Sequence, residues 1–113
     1  MKVIAGVDIG GTNTKIGLVS PEGRVIRNNR FKTGSLPNFE QFILAIVEHI
    51  NALILPNDEL IGIGIGAPNG NFYSGSVEHA PNMPFKGILP IRETLKTHFS
   101  CRIELTNDAN AAA

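Results

Sequence analysis

The sequence predicts an α/β domain on a mixed five-stranded sheet, in the order βββαβαβ followed by the start of one more helix. Three observations carry this. Three short apolar segments follow one another within the first 32 residues, joined only by Gly10-Gly11 and Pro21-Glu22-Gly23. Residues 39–54 then repeat their apolar side chains at helical spacing. Beyond them, apolar runs at residues 60–67 and 102–106 flank a second helical pattern.

Residues 3–9 are almost continuously apolar and only a strand long, which predicts a central strand covered on both faces. Residues 14–20 resume with Ile16, Leu18 and Val19, and residues 24–32 mix Val25, Ile26 and Phe31 with Arg27 and Arg30, as a more exposed strand would. The short links predict an antiparallel meander. Asn38 suits the N-cap of the long helix, with Gln41 at the capping-box position, and Pro56-Asn57-Asp58 ends it. In residues 60–67, Ile61, Ile63 and Ile65 alternate with glycines, so a helix or a ligand is expected to pack closely on the glycine face. Residues 68–84 read as loop with a short hairpin around Phe72 and Val77. Pro90 suits the first residue of a second helix with Ile91, Leu95 and Phe99 facing inward. Asn107-Asp108 then caps a helix opening Ala109-Asn110-Ala111-Ala112-Ala113. One helical turn cannot offset its own nucleation cost, so the polypeptide is expected to continue past Ala113.

Composition narrows the function. Ten Lys and Arg balance ten Asp and Glu, so no charge excess draws the chain to nucleic acid or an anionic membrane, and neither partner is expected. The single cysteine, Cys101, excludes an intrachain disulfide or a multi-cysteine zinc site in this segment and fits a reducing compartment. The N-terminal apolar stretch is interrupted at Asp8 and lacks a cleavage pattern. No apolar run approaches the roughly 20 residues of a membrane span. A cytoplasmic location is expected.

Three segments carry candidate chemistry. In Asp8-Ile9-Gly10-Gly11-Thr12-Asn13 the glycines join two strands, which is neither a dinucleotide fingerprint nor a Walker A loop. Exposed amides there, with the Thr12 and Asn13 side chains, can donate to phosphate oxygens. Asp8 is placed to hold a Mg²⁺ through water. A plain hairpin turn is the competing reading, and Lys15 reads as a solvated strand residue. Residues 64–70, Gly64-Ile65-Gly66-Ala67-Pro68-Asn69-Gly70, and Ala80-Pro81-Asn82-Met83-Pro84 supply asparagine amides, which suit a polyhydroxylated sugar but are also common loop formers. His79 reads as an ordinary loop side chain. Asp108 can cap its helix, act as general base toward a substrate hydroxyl, or do both.

Together these segments resemble the ROK family (repressor, open reading frame, kinase), in particular its glucokinase-like sugar kinases. The resemblance rests on Asp8-Ile9-Gly10-Gly11-Thr12, on residues 64–70 with Ala80-Pro81-Asn82-Met83-Pro84, and on Thr106-Asn107-Asp108-Ala109-Asn110-Ala111-Ala112, and covers essentially the whole chain. It implies an actin-like ATPase (ribonuclease H-like) fold of two domains, of which residues 1–113 would be the N-terminal one, with ATP and sugar in the cleft between them. It implies a phosphate turn at Gly10, Gly11 and Thr12, Asp108 as catalytic base, and hexose contacts from Gly66, Asn82, Asn107 and Asp108. ATP and Mg²⁺ would be the cofactors, with zinc held by a second domain. A homo-oligomer, a dimer, is expected. The implied reaction is transfer of the ATP γ-phosphate to a hexose, glucose to glucose 6-phosphate first, and the 113 residues alone are expected to be inactive. Asn69 departs from the family's common proline-glycine pair and is expected to change loop shape near the sugar. The competing reading is a sugar-sensing ROK repressor; such proteins carry a helix-turn-helix domain ahead of the phosphate turn, whereas here the first strand begins at Val3.

Overall fold

The computed structural model describes residues 1–80 and 83–107. Strands β1 (Lys2–Ile9), β2 (Asn13–Val19) and β3 (Val25–Lys32) form the expected antiparallel meander. A single 3₁₀ turn, Thr33–Ser35, leads to helix α1 (Phe39–Leu53). Strand β4 (Glu59–Ala67) returns parallel to β1. Three short strands follow, β5 (Gly70–Asn71), β6 (Ser76–Glu78) and β7 (Ile88–Leu89), then helix α2 (Ile91–Leu95) and strand β8 (Arg102–Asn107), parallel to β4. The five-stranded sheet runs β3-β2-β1-β4-β8 and the small one β5-β6-β7.

The step from β1 to β4 and the step from β4 to β8 go the same way across the sheet. Right-handed connections, the strong rule for parallel strands, then place α1 and α2 on one face, where they touch each other. Phe42, Ile43, Ile46 and Ile50 of α1 and Ile91 and Leu95 of α2 are buried there with Val3, Ala5, Val7, Ile9, Ile16 and Leu18 of the meander. Each of these side chains larger than alanine contributes about 1.5–3 kcal/mol by leaving water. Phe42 also stacks obliquely with Phe31 of β3 and Phe85 of the loop before β7, at 5.9 and 5.3 Å between ring centres. Asn38 caps α1, its Oδ1 accepting the Gln41 amide at 2.9 Å, a contact worth about 1 kcal/mol.

The expectation that β1 is covered on both faces is corrected. β1 is central, but its side chains alternate between buried and open, and Ile4 is 44% exposed. With both helices on one side, nothing among the described residues lies over the other. The short hairpin expected around Phe72 and Val77 is present as β5 and β6, and the one addition is β7, which pairs with β6 as a third strand. Strands of two or three residues leave no periodicity to read. Their turns rest on left-handed backbone at Asn69 (φ 55°), Gly75 (φ 69°), His79 (φ 51°) and Gly87 (φ 85°). Helix α2 is shorter than expected, with Pro90 as N-cap rather than first helical residue. The Thr94 and Thr97 hydroxyls donate to the Pro90 and Thr94 carbonyls, a local alternative to continued helix.

Arg92 of α2 holds the hairpin tip. Its Nη1 and Nη2 donate to the Phe72 and Tyr73 carbonyls at 3.0 and 2.9 Å. A Cβ on Gly75 would stand 2.6 Å from the Arg92 Cβ, so only glycine fits beneath it. Tyr73 projects from this tip, 88% exposed, edge-on to Phe72.

A polar clasp closes the opposite end of the sheet. The Asp58 carboxylate accepts the Leu55 amide at 3.0 Å, pairs with Arg27 at 2.6 Å and lies 3.6 Å from the Met1 ammonium. Arg27 Nε also donates to the Leu53 carbonyl at the end of α1. The Leu55 amide, followed by the charges of Arg27 and the N-terminus, holds the Asp58 carboxyl below its usual range despite burial. A depressed carboxylate contributes stability above its unfolded value, about 3.9, and that contribution is lost as pH falls through the folded value. Between pH 7 and 3 the parent's thermal midpoint is therefore expected to fall more steeply than that of Asp58→Asn; parallel profiles would exclude the clasp as the source of acid sensitivity.

Asn69 sits in the left-handed region that glycine favours and asparagine tolerates, so a Pro-Asn pair turns the backbone as a Pro-Gly pair can. Its Nδ2 also donates to the Glu78 carbonyl at 3.2 Å. In denaturant titrations Asn69→Gly is expected to stay within about 1 kcal/mol of the parent, and Asn69→Val to lose about 2 kcal/mol. Equal losses would show that the backbone angle is not what matters there.

Candidate phosphate-binding site

The parallel pairing of β1, β4 and β8 brings their C-terminal ends to one edge of the sheet. Asp8 is opposite Gly66, Gly66 is opposite Thr106, and Ala67 is opposite Asn107. Open α/β sheets bind ligands at such an edge. The structure thus brings together Asp8, the turn of residues 10–13, Gly66 and the backbone of Asn107. Asn82 and Asp108, the other residues expected to serve the site, lie outside the described residues.

The turn from β1 to β2 has a definite polarity. The Gly10 amide donates to the Asn13 carbonyl at 2.9 Å. A Cβ on Gly10 would stand 2.9 Å from that same oxygen, so glycine is required here by space and not by a positive φ. The Thr12 carbonyl accepts the Thr33 amide at 2.9 Å, and the Gly10 carbonyl accepts the Thr33 hydroxyl at 2.7 Å. The carbonyls of Gly10, Thr12 and Asn13 are therefore all engaged. The amides of Gly11 and Thr12 donate to no acceptor among the described residues. A turn with three of its four carbonyls engaged and two amides open is suited to receive an anion.

The Asp8 side chain is exposed on the uncovered face, opposite Lys15 of β2, which is itself opposite Arg30 of β3. No group of three or more potential metal ligands occurs among the described residues. A lone carboxylate beside open amides fits Mg²⁺, which keeps several waters and takes one or two carboxylates plus phosphate oxygens.

A concavity of about 1310 Å³ lies on the uncovered face. Its floor includes Gly6, Gly17, Gly64 and Gly66, and its rim Asp8, Lys15, Arg30, Phe72 and Glu104. It reaches Asp8 and Gly66, while Gly10, Gly11, Thr12 and Asn13 lie outside it. The geometry of the turn, and not the size of this hollow, is the better guide to where phosphate would sit. Reading the sequence passed over Thr33, Phe72 and Arg92 as site-shaping residues. A threonine at a strand end carries no local signal, and its reach to Gly10 exists only through the β2–β3 register.

No helix among the described residues is long and apolar enough to cross a membrane. A family model described as ROK family matches residues 4–113. A glucokinase of Streptomyces coelicolor is 32% identical over 114 residues, spanning all of this chain and 35% of the relative. The chain thus spans about a third of the length of the curated relatives it matches. Among solved structures, a ROK family glucokinase from Streptomyces griseus in complex with glucose and AMPPNP superposes with a TM-score of 0.81 at 30% identity, over 97% of this chain and 34% of that one. A ROK family transcriptional regulator homologous to the E. coli MLC protein superposes at 0.78 over 95% of this chain and 28% of that one, but at 16% identity, which speaks to the fold alone. The fold is the actin-like ATPase one that the motifs implied, and the chain belongs to the ROK family.

Proposed function

We propose that this chain forms the phosphate-binding part of a sugar kinase that transfers the γ-phosphoryl group of ATP to a hexose hydroxyl, with O6 of glucose the first choice. The observation that carries this is the turn of residues 10–13, with open amides beside the Asp8 carboxylate at the sheet edge where β8 also ends. The likeness to a glucokinase solved with glucose and AMPPNP supports it.

In this reading Gly10, Gly11, Thr12 and Asn13 receive phosphate oxygens, and Asp8 would be the residue that holds Mg²⁺. The metal supplies positive charge against the triphosphate. Gly66, Asn82 and Asn107 meet sugar hydroxyls and fix the acceptor oxygen. Asp108 takes the hydroxyl proton as that oxygen bonds to the γ-phosphorus; the bond from phosphorus to the β,γ-bridging oxygen breaks, and ADP leaves. Lys15 and Arg30, in the same cross-strand row as Asp8, add positive potential for an anionic donor.

The test is ADP release by the full-length protein with ATP, Mg²⁺ and a panel of hexoses. Turnover with glucose or another hexose is expected; sugar binding without turnover would favour the sensor reading instead. Asp108→Asn keeps the shape and a capping oxygen, so hexose affinity is expected to stay within a few-fold while kcat falls about 10²–10⁴-fold. Near-parent turnover in purified Asp108→Asn would remove Asp108 as the base.

A further inference from the structure

We infer that Thr33 is a positioning residue for the phosphate turn, setting affinity for the phosphate donor and not for the sugar. The inference rests on the reading of residues 10–13 as a phosphate turn. Two consecutive glycines give that turn wide conformational freedom. A carbonyl that rotated outward would place negative charge where an anion must sit. Something has to hold the carbonyls back, and Thr33 holds two of them.

Thr33 and Thr14 are both fully buried. The Thr33 hydroxyl lies 2.7 Å from the Gly10 carbonyl and 2.8 Å from the Thr14 hydroxyl. A hydroxyl has one proton to give. The Gly10 carbonyl can only accept, so the Thr33 proton goes to it and Thr14 must donate to Thr33. The result is a directed chain from Thr14 through Thr33 to Gly10, in which each bond polarises the next. The Thr33 amide meanwhile donates to Thr12. One residue, the first after β3, thus grips the turn on both sides of Gly11, from the core side and away from the amides that would face the anion.

The experiment uses the full-length protein with Thr33→Val, which removes the hydroxyl at nearly constant shape and keeps the amide, and Thr33→Ser, which keeps both. Thr14→Val breaks only the far link. Two readouts are taken: Kd for Mg-AMPPNP by calorimetry, and KM for ATP and for hexose. Thr33→Val is expected to weaken nucleotide binding and raise the ATP KM about ten-fold, the effect of one lost buried hydrogen bond. The hexose KM should stay within about two-fold, Thr33→Ser should restore the parent values, and Thr14→Val should shift nucleotide affinity in the same direction by less. If Thr33→Val proves too unstable to purify, Thr14→Val beside Thr33→Ser carries the test. Unchanged nucleotide affinity in a folded Thr33→Val or Thr14→Val protein, or equal shifts for both substrates, would overturn the inference. So would a parent protein that binds no nucleotide. A parent that binds nucleotide, shows the Thr33 effect and phosphorylates no hexose would leave the inference standing while defeating the proposed kinase function.

Discussion

The structure depends on one constraint, the parallel alignment of β1, β4 and β8 in adjacent positions. Parallel neighbours end at the same edge, so three loops far apart in sequence emerge side by side. Asp8, Gly66 and Thr106 fall in one cross-strand row as a consequence of register, before any side chain chooses a direction. The same alignment forces both crossover helices to one side and thereby decides which face is core and which is open. Site and core are thus two outcomes of a single topological choice.

The open face has its own composition. Gly17 of β2, Gly6 of β1 and Gly64 of β4 lie opposite one another in register. A Cβ built on Gly64 meets nothing within 4 Å, and one on Gly6 comes no closer than 3.8 Å to a backbone oxygen. Glycine inside a strand costs about 0.5–1 kcal/mol relative to alanine, and among the described residues nothing requires that cost here. The contrast with Gly10 and Gly75 is instructive, since there the neighbouring atom that excludes a side chain can be named. Glycines that look alike in the sequence are held by different causes.

Legibility in the sequence followed the range of the interactions. The meander, α1 with its Asn38 cap, and the strands at residues 60–67 and 102–106 were readable because period and turn chemistry are local. The motif at residues 8–13 was readable because a Gly-Gly pair between two strands is unusual enough to stand out. Of the small sheet the β5–β6 hairpin was readable, but its third strand β7 escaped because two residues are too few to show alternation and the turns use Asn69 and His79 in a conformation more often signalled by glycine. The open second face of β1 escaped because an apolar run cannot say how many helices will be available to cover it. Thr33 escaped for the opposite reason to the motif: its partners are 19 and 23 residues away, and threonine is unexceptional where a strand gives way to a turn.

The exposed position of Tyr73 gives the chain an unusual optical character. These 113 residues contain no tryptophan and one tyrosine, so their emission, and their absorption at wavelengths beyond the phenylalanine band, come almost wholly from the tip of the β5–β6 hairpin. That ring is solvated, touches Phe72 at the rim of the open face, and is tethered through its carbonyl to Arg92. The apolar core, packed with aliphatic side chains and phenylalanine, is nearly dark at the same wavelengths. A spectroscopist following this part of the protein would be watching the lip of a hollow and not the melting of its interior, and a flat emission trace would carry no information about whether the sheet behind it was intact.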